Sequence, residues 1–283
     1  MTDVGVLYVV ATPIGNPEDI SARAVMVLRA ADIIAAEDTR HSSRLLSMLG
    51  VAGERLLSLH DHNESARVPQ LIASMREGAT VALVSDAGTP LVSDPGYRLV
   101  AAAHDAGIRV SPVPGACAVV AALSSAGLPS DRFFFEGFLP ATETARRGRL
   151  EALRGQRGTL VLYEAPHRVL ATLGALVEVF GPVRVAAIAR ELTKTYETIR
   201  RGTLAQLREF VAADDNQQRG EIVLLVEGAA GEDVGAVVDE EILLRALAAE
   251  LPATRAAKVA AALCGRPRRE LYQRLLDMGA AGE

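Results

Sequence analysis

Carboxylate, hydroxyl and glycine residues follow the apolar run at residues 81–84 without a spacer. The segment at residues 85–96, Ser-Asp-Ala-Gly-Thr-Pro-Leu-Val-Ser-Asp-Pro-Gly, combines polar groups that bind ligands with residues that favour turns. Ligands of α/β proteins bind outside the carboxyl ends of the strands. The segment therefore predicts that a small molecule binds at this strand end. Ordinary turn chemistry is the alternative explanation for Asp86, Asp94 and the glycines.

Three other strand ends carry comparable residues. Apolar runs near residues 8 and 110 break into Ala-Thr-Pro-Ile-Gly-Asn and Pro-Val-Pro-Gly-Ala-Cys, and a run at 32–36 ends in Glu-Asp-Thr-Arg-His. The carboxyl ends of parallel strands lie along one edge of a sheet, so these loops are expected to share one pocket. Glu37 or Asp38 resembles the ribose-binding acid of a dinucleotide site, but the preceding loop lacks the G-x-G-x-x-G pattern.

The order of apolar and helical segments predicts an α/β protein in three parts. Residues 1–128 alternate short strands with helices at 21–31, 65–78, 96–107 and 116–126, which is typical of a mainly parallel sheet. Residues 129–228 contain five strand candidates with helices at 167–179 and 203–213, which indicates a mixed sheet. Residues 229–283 begin in an acidic, glycine-rich linker (228–241) and continue in helices at 254–263 and 268–278.

Composition limits the classes of function. The chain has 283 residues, 49% of them hydrophobic, and a formal net charge of −5, which argues against a protein that coats nucleic acid with its whole surface. Cys117 and Cys264 are too few for a disulfide framework and lack metal-ligand spacing with the histidines. No apolar run reaches the length of about 20 residues that crosses a bilayer, so we expect a cytoplasmic protein without a membrane partner and without a metal.

Positive charge is concentrated in two clusters. The first comprises Arg146, Arg147, Arg149, Arg154 and Arg157. The second comprises Arg266, Arg268 and Arg269, within a C-terminal segment that has more basic than acidic residues. Solvated arginines on exposed faces are the simpler explanation of either cluster, and a nucleic-acid contact is the alternative.

Six motifs in order give the chain a family resemblance. They are Val-Ala-Thr-Pro-Ile-Gly-Asn from Val10, Glu-Asp-Thr-Arg from Glu37, Ser-Asp-Ala-Gly-Thr-Pro from Ser85, Pro-Gly-Ala from Pro114, Tyr-Glu-Ala-Pro-His-Arg from Tyr163, and Arg-Glu-Leu-Thr-Lys from Arg190. The chain resembles the tetrapyrrole methylase superfamily, and within it the bacterial methyltransferases that act on the ribose 2'-hydroxyl of a cytidine in the decoding region of 16S ribosomal RNA. The resemblance extends from Tyr8 to about Leu276.

The resemblance implies two α/β domains, a homodimer, and S-adenosyl-L-methionine held in the cleft between the domains. It implies cofactor contacts, mostly through the backbone, from Pro13, Ile14, Gly15, Asp86, Gly88, Thr89, Cys117, Ala118, Glu164 and Leu192. The first loop lacks the Gly-Pro-Gly-Asp sequence of the superfamily, which argues against a porphyrinoid acceptor.

The acceptor side is a hypothesis that follows from the resemblance. A ribose hydroxyl needs help to lose its proton, and we hypothesise that Lys194 or Glu191 supplies it. Asp38, Arg40 and Arg168 are the expected substrate contacts, with the two arginines on RNA phosphate. The partner would be 16S ribosomal RNA or the small ribosomal subunit. A surface ion pair is the alternative for Glu191 and Lys194.

Two alternatives for the whole protein remain open at this point. A corrinoid or porphyrinoid methyltransferase would share the fold but would leave the basic C-terminal segment unexplained. A non-enzymatic RNA-binding assembly factor could keep the same fold, because fold does not determine function.

Overall fold

The first half of the chain forms a five-stranded parallel sheet. The computed structural model describes residues 4–51, 55–229 and 240–280. The strands of the first sheet are β1 (Val6–Val10), β2 (Ile33–Ala36), β3 (Leu56–Ser58), β4 (Val81–Val84) and β5 (Arg109–Val113), in the order β3-β2-β4-β1-β5. All four pairings are parallel. This order brings the carboxyl ends of β4, β1 and β5 side by side.

Helices cover this sheet, which explains why β4 is buried along its whole length. They are α1 (Ala22–Ala30), α2 (Thr39–Met48), α3 (Glu64–Arg76), α4 (Tyr97–Asp105) and α5 (Ala118–Ser125). Four of the five agree with the predicted helices to within two residues. Ser21 caps α1, because its hydroxyl accepts a hydrogen bond from the Ala24 N–H at 3.1 Å. The helix α2 and the strand β3 were not predicted.

The second half forms a mixed sheet, as predicted. Its strands are β6 (Phe133–Phe138), β7 (Thr159–Glu164), β8 (Val185–Arg190), β9 (Thr198–Thr203) and β10 (Ile222–Val226), in the order β6-β7-β10-β8-β9. Only the pair β6 and β7 is parallel. The helices α6 (Glu143–Leu153), α7 (Val169–Phe180) and α8 (Leu204–Ala213) accompany this sheet.

One apolar cluster joins the two sheets. Ile14 and the α5 residues Val119, Ala122 and Leu123 belong to the same buried group as second-sheet residues such as Val161 and Leu225. Burial of this shared surface stabilises the arrangement of the two halves, because apolar area removed from water contributes about 25 cal/mol per Å². The loops that end β1, β4 and β5 are thereby held against the second sheet.

Three helices follow the second sheet, where two were predicted, and they have a small core of their own. They are α9 (Glu240–Glu250), α10 (Ala253–Cys264) and α11 (Arg268–Ala280). Leu244, Ala256, Ala260 and Leu271 are fully buried among them. The predicted linker at 228–241 lies mostly outside the described residues. Among the described helices, none is long and apolar enough to cross a membrane.

Candidate functional site

A cavity of about 370 Å³ lies between the two sheets. The first half contributes the loops after β1, β4 and β5, through residues such as Ile14, Gly88 and Cys117. The second half contributes the ends of β6 and β7 and the segment at the start of β10. The volume falls in the range of about 300–1,000 Å³ that small-molecule sites occupy.

Hydrogen bonds tie the three loops of the first sheet together, as their shared sheet edge predicts. Thr12 and Gly88 form a two-residue antiparallel bridge, with N···O distances of 2.8 and 3.1 Å. The Thr89 hydroxyl donates to the Ala116 carbonyl at 3.0 Å. The first loop also reaches the second half of the chain, because the Asn16 N–H donates to the hydroxyl of Thr193, in the loop between β8 and β9, at 3.1 Å.

Most of the residues expected to contact a cofactor line this cavity. The lining members are Ile14, Gly88, Thr89, Cys117, Ala118, Glu164 and Leu192. Pro13, Gly15 and Asp86 are not among the lining residues. Gly15 instead approaches the second half so closely that an added Cβ would lie 2.9 Å from the Leu192 carbonyl oxygen and would overlap the Lys194 side chain. Asp86 accepts a hydrogen bond from the Asp38 N–H at 3.0 Å and so links the ends of β4 and β2.

Asp38 and Arg40, two of the expected substrate contacts, form an exposed pair. Asp38 caps α2 by accepting from the Arg40 N–H at 2.8 Å, and the Arg40 guanidinium lies 2.9 Å from the Asp38 carboxylate. Hydrogen bonds from Arg40 lower the pKa of Asp38 to about 2. The Arg40 side chain is 88% exposed, so its guanidinium is accessible to an external anion.

Arg168, the third expected substrate contact, is directed inward. Its guanidinium donates to the Leu139 and Pro140 carbonyls at 2.7 and 3.1 Å, and its Nε lies 3.3 Å from the Glu164 carboxylate. The side chain is only 19% exposed. These contacts favour a positioning role, which orients Glu164 and the loop after β6, over contact with RNA phosphate.

Lys194 and Glu191 do come together, in a network that includes Glu221. The Lys194 ammonium donates to Glu191 at 2.9 Å and lies 3.2 Å from the Glu221 carboxylate. Burial acts against the charge of Lys194, but the two carboxylates outweigh it and raise its pKa. Burial likewise acts against the charge of Glu191, yet the Glu221 N–H and Lys194 lower its pKa. Lys194 is therefore held in its protonated form, and Glu191 is a weaker base than an ordinary carboxylate. Both findings argue against the hypothesis that either group is the base.

The lining residues that sequence reasoning missed include Asp94, Phe138, Tyr163 and Glu221. Asp94 stands in the same loop as Asp86, so its position was a signal, but turn chemistry was an alternative explanation for it. Phe138 is 56% exposed although it is aromatic, and its ring meets Tyr163 edge-on at 5.7 Å. Burial raises the pKa of the Tyr163 hydroxyl.

The first basic cluster is partly internal, contrary to the explanation of solvated arginines. Arg146 is only 6% exposed, and its guanidinium donates to the Ala141 carbonyl at 3.2 Å. Arg149 forms a bidentate pair with Glu136 at 2.5 and 2.6 Å. These two arginines hold α6 in place. In the second cluster, Arg268 and Arg269 are exposed.

The cavity fits a mixed apolar and cationic ligand. Ile14, Val92 and Leu192 give it apolar walls suited to a flat ring, and Glu164 and Glu221 contribute carboxylates. The N-terminus of α5, at Cys117 and Ala118, supplies backbone N–H groups for an anionic end. A folded S-adenosylmethionine has all three features: a purine, a cationic sulfonium with an ammonium, and a carboxylate.

Comparisons with known protein families agree with the motifs. A model of the Tetrapyrrole (Corrin/Porphyrin) Methylases matches residues 6–208, and a model of the RsmI C-terminal HTH domain matches residues 235–279. Curated relatives similar to the chain include proteins named ribosomal RNA small subunit methyltransferase I. That of Pseudomonas aeruginosa is 53% identical, covering 96% of this chain and 97% of its own. That of Xylella fastidiosa (strain Temecula1) is 52% identical, covering 96% and 99%.

Solved structures show the same fold. The uroporphyrin-III-C-methyltransferase of Thermus thermophilus aligns with 26% identity and a TM-score of 0.56 over 79% of this chain and 94% of its own. A diphthine synthase aligns with a TM-score of 0.59 over 81% of this chain and 92% of its own, and at 15% identity it supports the fold alone.

Proposed function

Since this chain belongs to the tetrapyrrole (corrin/porphyrin) methylase family and is a methyltransferase that uses S-adenosylmethionine, we propose that it methylates the ribose 2'-hydroxyl of a cytidine in 16S ribosomal RNA. The observation that supports this acceptor most strongly is the extent of the similarity. Relatives named for the small-subunit RNA match 96% of the chain, including its C-terminal helices. The uroporphyrin-III-C-methyltransferase structure aligns over only 79% of it.

The cofactor would bind in the cavity, where two sets of groups complement it. Loop residues of the first sheet, from Ile14, Gly88 and Thr89 to Cys117 and Ala118, would contact it mainly through the backbone. Leu192 and the segment at Glu164 would close the site from the second sheet. Pro13, Gly15 and Asp86 do not line the cavity and would contribute by fixing the positions of the loops. The bound cofactor supplies an electrophilic methyl group, and the protein's task is to hold the acceptor hydroxyl in line with it.

The RNA would contact exposed basic groups outside the cavity. Arg40 is accessible at the end of β2, and residues 253–280 contain six Lys or Arg residues against two Asp or Glu residues. The turn between α10 and α11 resembles that of a helix-turn-helix unit, whose second helix contacts nucleic acid. Phosphate contacts from such a unit supply affinity that does not depend on sequence.

We further propose the domain limits 1–128, 129–228 and 229–283, a homodimer and a cytoplasmic location. One five-stranded sheet within each of the first two segments supports the limits, as does the separate core of α9–α11. Limited proteolysis should cleave between these segments first. The dimer rests on the family resemblance and is tested by light scattering.

Transfer of a labelled methyl group tests the proposed acceptor. The purified protein is incubated with labelled S-adenosylmethionine and, separately, with naked 16S ribosomal RNA, with small subunits from cells that lack the enzyme, and with a porphyrinoid. We expect label in RNA or in the subunit, at a ribose resistant to alkaline cleavage. Label only in the porphyrinoid would establish the small-molecule alternative, and RNA binding without transfer would establish the assembly factor.

A further inference from the structure

Three carboxylates line the cavity, and two of them are occupied by protein partners. Glu164 is 3% exposed, and its oxygens accept from the Ala165 N–H at 2.8 Å and the Thr172 hydroxyl at 2.5 Å. Glu221 lies 3.2 Å from the Lys194 ammonium, and its side chain is 70% exposed. Neither carboxylate is free to take up a proton from a ligand without losing these contacts.

Asp94 is the third carboxylate, and it differs from the other two. It has no cationic partner within salt-bridge distance among the described residues. Burial raises its pKa to about 6, a hydrogen bond from Ser85 partly opposes this, and repulsion from Asp86 adds to it. A carboxylate near the operating pH is a better base than one at the ordinary value, because it remains ionised yet binds a proton more strongly.

The backbone around Asp94 is held in an unusual conformation. Leu91 and Ser93 have φ angles of 73° and 69°, in the left-handed region that non-glycine residues rarely adopt. Glu191 and Thr193, at 53° and 65°, are the other such residues in the described chain, and they flank Leu192, which lines the cavity. Strained backbone of this kind persists where the surroundings fix it, and it concentrates at functional sites.

We propose that the Asp94 carboxylate is the base that accepts the proton of the acceptor hydroxyl during methyl transfer. This inference rests on the proposed function. As the acceptor oxygen forms its bond to the methyl carbon, the bond between that carbon and the sulfonium sulfur breaks and its electron pair stays on sulfur. The hydroxyl proton passes to Asp94, which later releases it to water. The products are a methyl ether and a neutral thioether, so charge and atoms balance.

The charged and titratable groups around Asp94 allow its effect to be separated from theirs. Ser85 and Asp86 face it from the end of β4, Glu37 from the end of β2, and Tyr163 from β7. Glu37 also has a raised pKa, caused first by burial and then by repulsion from Asp86 and Asp94. Glu37→Gln is therefore the control for a neighbouring carboxyl, and Asp105→Asn, at the exposed end of α4, is the control for the substitution itself.

The test compares single-turnover methyl transfer to the RNA acceptor across pH. For Asp94→Asn we expect a loss of about 10²- to 10⁴-fold in rate, the contribution of a general base, with affinity for S-adenosylhomocysteine unchanged by calorimetry. The wild-type rate should fall below about pH 6, and this limb should disappear in Asp94→Asn but remain in Glu37→Gln and Asp105→Asn. Asp94→Glu should recover part of the rate.

Thermal stability provides a readout without activity. A carboxyl whose pKa is raised on folding stabilises the protein at low pH, and this contribution is lost as pH rises through about 6. Asp94→Asn should therefore have a higher Tm than wild type at about pH 8 and no such advantage at about pH 4.

The methyl-transfer assay also separates the two proposals. Wild type inactive on every RNA overturns the proposed function, whereas active wild type with equally active Asp94→Asn overturns the assignment of Asp94 alone.

Discussion

The ion pair between Lys194 and Glu191 fixes the charge of both groups at neutral pH. Glu191 accepts from the Lys194 ammonium and from the Glu221 N–H, both at 2.9 Å. Such groups hold a loop in place, and in this chain the loop carries Leu192, which lines the cavity. We therefore assign them to positioning, in place of the hypothesised role of either group as the base.

Glu191→Gln tests this assignment by its pH dependence. The pKa of Glu191 is lowered on folding, so its stabilising effect is present above the ordinary value near 4.5 and is lost as pH falls through the folded value. We expect Glu191→Gln to lower the free energy of unfolding by about 1.5–3 kcal/mol at neutral pH, the value of a hydrogen bond to a charged group, and by less at acid pH.

The measurement is urea unfolding of Glu191→Gln and of Lys194→Ala at several pH values, paired with methyl transfer. If both act in positioning, each variant keeps the acid limb of the rate profile. If a variant abolishes the acid limb of the rate profile but binds S-adenosylhomocysteine normally, the substituted residue takes part in proton transfer after all.

At the scale of elements, the close approach of the first loop to the second sheet explains the glycine after β1. A Cβ at Gly15 would lie 2.9 Å from both the Leu192 carbonyl oxygen and the Thr193 hydroxyl. Gly15→Ala should push the two loops apart and lower affinity for S-adenosylhomocysteine about tenfold, which corresponds to about 1.4 kcal/mol.

Gly148→Ala is the matched control for Gly15→Ala. Gly148 is exposed within α6, with no neighbouring atom within 4 Å of an added Cβ. Replacing it should stabilise the protein by about 0.5–1 kcal/mol through helix propensity and leave cofactor affinity unchanged. Equal cofactor affinity in both variants, by calorimetry, would contradict the structural account of Gly15.

Most elements with a regular apolar pattern were predicted, although α9 was not, and elements without such a pattern were missed. The helices α1 and α3 to α5 and the longer strands follow such patterns. The helix α2 has the polar sequence TRHSSRLLSM, and β3 has three residues, too few for a pattern. The loops of the site were predictable because they follow strands whose order puts their ends together. The inward direction of Arg168 and the absence of a cationic partner beside Asp94 depend on how distant segments pack, so no local pattern indicates them.

At the scale of the whole molecule, the C-terminal helices are the largest feature that the cavity does not require. Their core, which includes Leu244 and Leu271, is separate from the apolar cluster that joins the two sheets. This separation supports a division of roles, with cofactor binding between the sheets and RNA docking on α10 and α11.

The double variant Arg268→Ala/Arg269→Ala in the full chain tests that division. Both arginines are exposed at the start of α11, so their removal should leave the helical core intact. Each lost phosphate contact should reduce the slope of log affinity against log salt by about 0.7–0.9, because fewer counterions are released. We expect weaker RNA binding at low salt, a shallower salt dependence, and unchanged affinity for S-adenosylhomocysteine.

The control is the double variant Arg147→Ala/Arg154→Ala. The two side chains lie on and beside α6 and are 63% and 68% exposed. If the control variant loses as much RNA affinity, the affinity comes from general surface charge. If neither variant loses RNA affinity, α11 does not contact the RNA.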